Sequence, residues 1–364
     1  MGQDDRDRNK SRIKVLVGED STFMRRMIID TLESDPGIKV VGTAEDGREV
    51  LRKIVELKPD CVTLDLEMPL MDGVETLRYI MSEWPTPVVI LSAYKSEGAR
   101  EALTSLEYGA VDFVAKTRKG MSFPVGELIS KVRLAAAVDV SKVRFAPTEY
   151  DFDIKRSKMH SKELAGVVII GASTGGPHAL VDIIPRLPGD LAAGIIITQH
   201  MPPDFTRYLA ERLDSISGLT VREAEEGDLI LPGTVLVAPG GGHLLYDDHD
   251  GEPGVMFLPR NVRLKTACPS LDFAMTSFAP VFKRRLLGVV LTGMGKDGLA
   301  GCAAIRRYGG RIIAQDEATS MIFGMPGAVI EEGYADRIVP LHEIAESIST
   351  EIRELRHTEH MHES

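Results

Sequence analysis

A serine between a predicted strand and a predicted helix is the strongest catalytic signal in the sequence. In VVIIGASTGGPHAL a β-branched run leads into Ser173, and Pro177 suits the first turn of a helix. The segment fits G-x-S-x-G, whose small residues permit a sharp turn that exposes the hydroxyl. N–H groups at a helix N-terminus favour negative charge developing beside it. We therefore predict a nucleophilic serine, with a glycine-rich phosphate-binding loop as the alternative.

A nucleophilic serine needs a base, and three histidines of the same region are candidates: His178, His200 and His243. His200 ends the apolar run 194–199 and is followed by Met-Pro-Pro, so we expect it at the same sheet edge as Ser173. His178 lies close to the serine in the following helix, and His243 follows another predicted strand in APGGGHL. The shared edge favours His200 without excluding the other two.

The carboxylate that orients the base is expected at a further strand end. The run 286–291 leads into TGMGKDG, which puts Asp297 near that edge, and Asp316 after the next run is the competing choice. The resulting chain order, Ser then His then Asp, differs from the Ser, Asp, His order of α/β-hydrolases. A triad is defined by geometry, so the order is permitted, but it favours a separate fold family.

A second set of polar residues follows the strands predicted in the first third of the chain. Ligands collect at the carboxyl ends of parallel strands, and crowded carboxylates favour Mg²⁺, which keeps positions open for phosphoryl oxygens. A single Asp after a strand is usually a helix cap, but a cap needs neither a further hydroxyl nor a lysine. The strand-end residues are Glu19, Asp20, Ser21, Asp65, Glu67, Ser92 and Lys116.

Alternating β-branched runs and amphipathic stretches must position both sets of residues. This alternation predicts two α/β domains with parallel sheets. The first five predicted strands are 13–17, 38–41, 61–64, 88–91 and 111–114, followed by a helix over 127–138. The next five are 167–170, 194–198, 234–238, 286–291 and 311–314. We expect a first domain over 12–138, a linker over 139–163, a second domain over 164–352 and a flexible tail over 353–364.

Composition narrows the function classes. The 364 residues carry 43 Lys and Arg against 54 Asp and Glu, a net charge of −11, which disfavours nucleic-acid binding. No apolar run is long enough for a membrane span, and the first ten residues lack the apolar core of a signal peptide. Three separated cysteines, Cys61, Cys268 and Cys302, make no metal-ligand spacing. We predict a cytoplasmic protein with no direct membrane insertion and no nucleic-acid partner.

Residues 12–138 resemble the receiver domain of two-component response regulators. The resemblance implies a flavodoxin-like, five-stranded parallel sheet in which Asp65, in DLEMPLMDG, accepts a phosphoryl group from a histidine kinase. Two departures are visible: Gly18-Glu19-Asp20 replaces the commoner hydrophobic-Asp-Asp, and Thr117 stands where the family usually has proline. The resemblance implies Mg²⁺ ligation by Glu19, Asp20, Asp65 and the Glu67 carbonyl, and phosphoryl sensing by Ser92, Phe113 and Lys116.

Five segments of the second half together resemble the catalytic domain of the CheB family, the chemotaxis-specific protein-glutamate methylesterases. The segments are GASTGG, ITQHMP, APGGGH, PSLDF and LTGMGKDG, in the family's order and after a receiver domain. The resemblance implies a doubly wound, mostly parallel α/β domain with Ser173 as nucleophile, His200 as general base and Asp297 as orienting carboxylate. It also implies an oxyanion contact from Met294, with Thr174 beside the nucleophile.

The same resemblance implies hydrolysis of glutamate methyl esters on chemoreceptors and deamidation of selected glutamines. A phosphate-operated switch ahead of an esterase also predicts regulation by phosphorylation. The expected partners are methyl-accepting chemoreceptors and the chemotaxis histidine kinase, and the expected cofactor is Mg²⁺ in the receiver, with none for the ester reaction. Two alternatives stay open: an esterase of this family with a target outside chemotaxis, and a response regulator with a non-catalytic binding domain.

Overall fold

The computed structural model describes residues 12–93, 96–116, 124–140, 164–260 and 267–362. The chain divides into two compact units, Met1–Phe145 and Ala146–Ser364. All but the first two residues of the predicted linker lie outside the described residues. Within the described part of the chain, no helix combines the length and apolarity needed to cross a membrane.

The first unit is a five-stranded parallel sheet between helices. The strand order is β2-β1-β3-β4-β5, in which each central strand is buried because apolar β-branched residues fill both faces. The strands are β1 Ile13–Gly18, β2 Ile38–Ala44, β3 Cys61–Asp65, β4 Val88–Ser92 and β5 Asp112–Ala115. The helices are α1 Thr22–Glu33, α2 Gly47–Leu57, α3 Gly73–Glu83, α4 Ser96–Glu107 and α5 Val125–Ala135.

Three of these helices have an N-cap residue whose side chain accepts a hydrogen bond from the first turn. Each of these caps marks the point where the preceding loop ends and the helix begins. Ser21, Asp46 and Asp72 each accept a hydrogen bond from a backbone N–H in the first turn of α1, α2 and α3. Of the strand ends predicted to carry the phosphoryl site, those of β1 and β3 therefore lead into helices with a side-chain cap.

The second unit is built on a seven-stranded parallel sheet of order β14-β13-β12-β6-β7-β9-β8. Its strands are β6 Gly166–Ala172, β7 Ala193–Gln199, β8 Thr220–Glu223, β9 Thr234–Val237, β12 Leu286–Val290, β13 Arg311–Gln315 and β14 Arg337–Val339. A separate antiparallel hairpin is formed by β10 Gly242–His249 and β11 Glu252–Pro259. The helices are α6 Gly176–Ile183, α7 Phe205–Ile216, α8 Leu271–Phe282, α9 Leu299–Arg307, α10 Met325–Glu331 and α11 Leu341–His362.

The fold class predicted from the sequence is confirmed in both units: each is α/β with a parallel sheet. The sequence reading missed β8, β14 and the β10–β11 hairpin. The last helix also runs through residue 352, the predicted end of the second domain, because 341–362 contains neither glycine nor proline. The domain bounds and the flexible tail stay predictions.

Candidate active site and phosphoryl-acceptor site

Ser173 lies in a sharp turn between β6 and α6. Gly175, which precedes the helix, has φ +79°, a left-handed conformation that glycine adopts without strain. A Cβ on Gly176 would lie 2.0 Å from Gln199 Oε1 and 2.7 Å from Ala172 Cβ, so no larger residue fits there. The glycines of GASTGG thus allow the chain to turn within four residues and leave Ser173 partly exposed.

His200 directly follows the neighbouring strand, β7, at the level of Ser173. Ala172 of β6 pairs in register with Gln199 of β7, so Ser173 and His200 are the next residues on adjacent strands. The His200 N–H donates to the Ala172 carbonyl (3.1 Å), and Gln199 Nε2 donates to the Ser173 carbonyl (2.9 Å). Adjacent strands lie about 4.8 Å apart. The sheet therefore brings the predicted nucleophile and the predicted base to one edge.

Asp297 reaches the same edge from the other side of β6. The Ser173 N–H donates to the carbonyl of Thr292, which starts the loop after β12. At the end of this loop, Asp297 Oδ2 lies 2.8 Å from His200 Nε2, with both side chains largely buried. Burial alone would raise the pKa of Asp297. The hydrogen bond and charge of His200, together with N–H donors of Leu271 and Asp272, outweigh it and hold the pKa of this carboxyl below its usual range.

The competing candidates have other contacts. Asp316 Oδ1 accepts hydrogen bonds from the Thr319 N–H (2.9 Å) and hydroxyl (2.6 Å), so it closes a turn after β13. His243 is buried, its Nδ1 accepts a hydrogen bond from the Ser270 N–H (3.1 Å), and burial lowers its pKa. His178 lies partly buried within α6. Of the three histidines, His200 is the one hydrogen-bonded to Asp297.

The predicted oxyanion contributors flank Ser173. A Cβ on Gly293 would lie 2.7 Å from Ser173 Cβ, which puts the β12 loop directly against the nucleophile. Met294 follows Gly293 and is half exposed. Thr174 is buried, and its carbonyl accepts a hydrogen bond from Thr292 Oγ1 (3.0 Å).

In the receiver unit, three carboxylates and a lysine converge at the carboxyl ends of β1, β3 and β5. Carboxylate oxygens of Glu19, Asp20 and Asp65 all lie within 4.8 Å of one another. Lys116 Nζ donates to Asp65 Oδ2 (2.7 Å) and Glu19 Oε2 (3.4 Å). Burial and the charge of Asp65 raise the pKa of Glu19 to about 7. An all-oxygen donor set with unbalanced negative charge suits a hard divalent cation.

The remaining predicted receiver residues differ in their burial and contacts. Ser92 is buried, and its hydroxyl donates to the Gly98 carbonyl (2.6 Å) at α4. Phe113 is buried, with Lys131 Nζ 4.9 Å from its ring centroid. Glu67 is exposed in the loop after β3. Thr117 lies outside the described residues.

Comparison with known proteins assigns the family. Residues 168–348 match the CheB methylesterase family, and residues 15–123 match the response regulator receiver domain. A protein-glutamate methylesterase/protein-glutamine glutaminase of Symbiobacterium thermophilum is 47% identical over 366 residues, covering 96% of this chain and 99% of that protein. The chain belongs to the CheB family. A protein of the same name from Thermotoga maritima is 43% identical over 340 residues, 92% of this chain and 97% of that protein.

A solved CheB methylesterase catalytic domain from Thermotoga maritima is 45% identical and covers 51% of this chain and 97% of that domain, with a TM-score of 0.49. The likeness to CheB proteins over nearly the full chain confirms the resemblance inferred from the five segments. The chain is accordingly a protein-glutamate methylesterase/protein-glutamine glutaminase with a response-regulator receiver domain.

Sequence reasoning gave no role to two groups that contact the site. Gln199 holds the Ser173 carbonyl, and Ser270, with the first residues of α8, holds Asp297. Gln199 could have been found from its place directly before His200 on a buried strand. Ser270 could have been found as a helix cap, because it precedes an apolar helical stretch in PSLDF.

Proposed function

We propose that this CheB-family chain is a phosphorylation-regulated serine hydrolase that acts on chemoreceptors through Ser173, His200 and Asp297. Its reactions are removal of methyl esters from receptor glutamates and deamidation of selected glutamines. The observation that carries the proposal is the 2.8 Å contact of His200 with Asp297 beside the strand end that bears Ser173. We expect the reaction in the cytoplasm, on the cytoplasmic helices of the receptors.

The proposed reaction follows the chemistry of these three groups. His200 Nε2 contacts Asp297, so Nδ1 is the nitrogen that takes the Ser173 proton as Oγ attacks the ester carbonyl. The carbonyl oxygen becomes an oxyanion, and backbone N–H groups near Thr174 and Met294 are the proposed donors to it. The C–O bond then breaks, and the leaving methanol takes the proton from His200. His200 then takes a proton from a water molecule as its oxygen attacks the acyl-enzyme carbonyl. The bond from this carbonyl to Ser173 Oγ breaks, Oγ takes the proton back from His200, and a glutamate carboxylate remains on the receptor.

The electrostatics of the site support the role of Asp297. A carboxyl whose pKa is held low stays ionised at neutral pH, so it stabilises the imidazolium that forms as the serine proton moves. The N–H groups at the start of α8 hold that negative charge without competing for the proton on His200. General-base catalysis of this kind typically contributes about 10²–10⁴ in rate.

Asp65 is the proposed phosphoryl acceptor of the receiver unit. Glu19, Asp20, Asp65 and the Glu67 carbonyl would hold Mg²⁺, which supplies charge neutralisation for the incoming phosphoryl group when bound. Lys116, already hydrogen-bonded to Asp65, would hold a phosphoryl oxygen, with Ser92 and Phe113 responding to it. The chemotaxis histidine kinase is the proposed phosphodonor.

Replacing Ser173 by Ala tests the hydrolase assignment. We expect loss of methanol release from methylated receptor, with the circular dichroism spectrum unchanged, because only one hydroxyl is removed from a partly exposed turn. The unmodified chain should also be labelled at Ser173 by an organophosphonate, which reacts with an activated serine and not with a phosphate-binding loop. Methanol release near the unmodified level from the Ala variant would dismiss the proposal.

A further inference from the structure

The N-terminus of α8 makes contacts with Asp297 that the triad alone does not require. Ser270, the residue that caps α8, donates its hydroxyl to Asp297 Oδ1 (2.9 Å). The backbone N–H groups of Leu271 and Asp272 donate to Oδ2 (2.7 Å) and Oδ1 (3.1 Å). Three consecutive residues of the PSLDF segment therefore hold both oxygens of one carboxylate.

A second carboxylate makes the reverse contact. Asp272 Oδ1 accepts hydrogen bonds from the N–H groups of Gly298 (3.0 Å) and Gly301 (2.7 Å), at the start of α9. Each of the two helices thus begins against a carboxylate from the other's segment: Asp297 against α8 and Asp272 against α9. Because helix N-termini favour negative charge, both contacts are stabilising. Movement of the loop that carries Asp297 would break both sets of hydrogen bonds.

The orientation of Asp297 follows from these contacts. Oδ1 is held by Ser270 and Asp272, so the carboxylate cannot rotate without losing them, and Oδ2 is left facing His200 Nε2. Ser270 is the one donor of this set that comes from a side chain. The Ser270 hydroxyl is therefore the donor that a substitution can remove without altering the backbone.

We propose that Ser270 is a positioning residue of the esterase reaction, acting through Asp297, an assignment that rests on the proposed triad. Its hydroxyl hydrogen-bonds to the carboxylate and holds it in the orientation that His200 needs. Loss of the hydroxyl leaves Oδ1 with the Asp272 N–H as its remaining donor from this segment, so the carboxylate is held less firmly towards His200. This lowers the rate of the chemical step and leaves substrate binding unchanged.

The test compares Ser270→Ala, Ser270→Thr and the control Ser277→Ala in the full-length chain, with methanol release from methylated receptor as the assay. Ser277 lies on the same helix and its hydroxyl bonds to backbone atoms of Ala274 and Tyr246, not to Asp297. For Ser270→Ala we expect kcat to fall about 10- to 100-fold, the range for losing a hydrogen bond to a charged group, with KM within about twofold. Ser270→Thr keeps the hydroxyl and should restore most of kcat, and Ser277→Ala should stay within about twofold.

A double-mutant cycle separates positioning from simple structural damage. In an Asp297→Ala background the Ser270→Ala change should lower the residual kcat by less than about twofold, because its partner is already absent. Unchanged kcat in Ser270→Ala alone, or an equal loss in both backgrounds, would overturn the inference. Full activity of Asp297→Ala would instead overturn the proposed triad. If Ser270→Ala loses helical signal, Ser270→Cys, which keeps a similar size but donates weakly, gives the same comparison.

Discussion

Replacing Asp297 by Asn changes the charge of the site with almost no change in its shape. Both carboxylate oxygens are acceptors: Oδ2 from Leu271 N–H and His200, and Oδ1 from Ser270 and Asp272 N–H. An amide NH₂ group cannot accept, so either orientation of the Asn leaves one backbone N–H of α8 without its acceptor. A buried N–H without an acceptor lowers the free energy of unfolding by about 1–3 kcal/mol.

The catalytic loss from the same substitution is larger. The anion that stabilises the His200 imidazolium disappears, and in another Ser-His-Asp enzyme the same change lowers kcat about 10⁴-fold. We expect a fall of about 10³–10⁴ in kcat for Asp297→Asn, which corresponds to about 4–5 kcal/mol in the activation barrier. Methanol release from methylated receptor under saturating substrate measures it directly. A kcat within tenfold of the unmodified enzyme would refute the role given to Asp297.

The lowered pKa of Asp297 also predicts how the free energy of unfolding depends on pH. Its pKa in the folded chain lies below the value of about 3.9 for an unfolded Asp, so its contribution is present above about pH 4 and is lost as pH falls through the folded pKa. The difference in unfolding free energy between the unmodified chain and Asp297→Asn should therefore be steady above about pH 5 and narrow as pH falls below about 4. Urea denaturation followed by circular dichroism measures this difference, and a gap independent of pH would contradict it.

Two further predictions concern the receiver site and the hydrophobic core of the second unit. Asp65→Asn should take up no phosphoryl group from a small phosphodonor with Mg²⁺ and should keep methylesterase activity at its unphosphorylated level. Labelling of the Asn variant would point to a different acceptor. Phe278→Ala should lower the unfolding free energy by about 3–5 kcal/mol, because Phe278 is fully buried and packs on Phe282 and Tyr246. A loss below 1 kcal/mol in urea denaturation would show that the core repacks around the gap.

The central strands could be predicted from the sequence because burial on both faces leaves continuous runs of Val, Ile and Leu. The β10–β11 hairpin was missed although its turn carries a signal: Asp250 and Gly251 both have positive φ, as Asp-Gly does in a two-residue hairpin turn. Its flanking strands are partly exposed and mix charged and apolar residues. Strands β8 and β14 were missed because each is short and little buried.

The residues of the candidate site that lie at strand ends could be predicted from the sequence. The contacts that depend on how a helix packs against the sheet could not. Ser173, His200 and Asp297 each follow a recognisable strand, and the carboxyl ends of parallel strands share an edge. The contact of Ser270 with Asp297 joins residues 27 positions apart through the approach of α8 to the loop after β12. No local pattern encodes that approach, because it depends on how the helix lies across the sheet.

The unusual chain order of the proposed triad follows from the winding of the sheet. β6 is the first strand of the second unit and lies near its centre, with β7, β9 and β8 on one side and β12, β13 and β14 on the other. The chain forms β7, β8 and β9 on one side of β6 before it crosses back to form β12, β13 and β14 on the other side. The strand order therefore reverses between β6 and β12. Open α/β sheets bind their ligands at this point. A nucleophile that follows β6 therefore meets a base that follows β7, later in sequence, and a carboxylate that follows β12, later still. Along the chain, the ends of β6, β7 and β12 reach this edge one after another, which gives the order Ser, His, Asp.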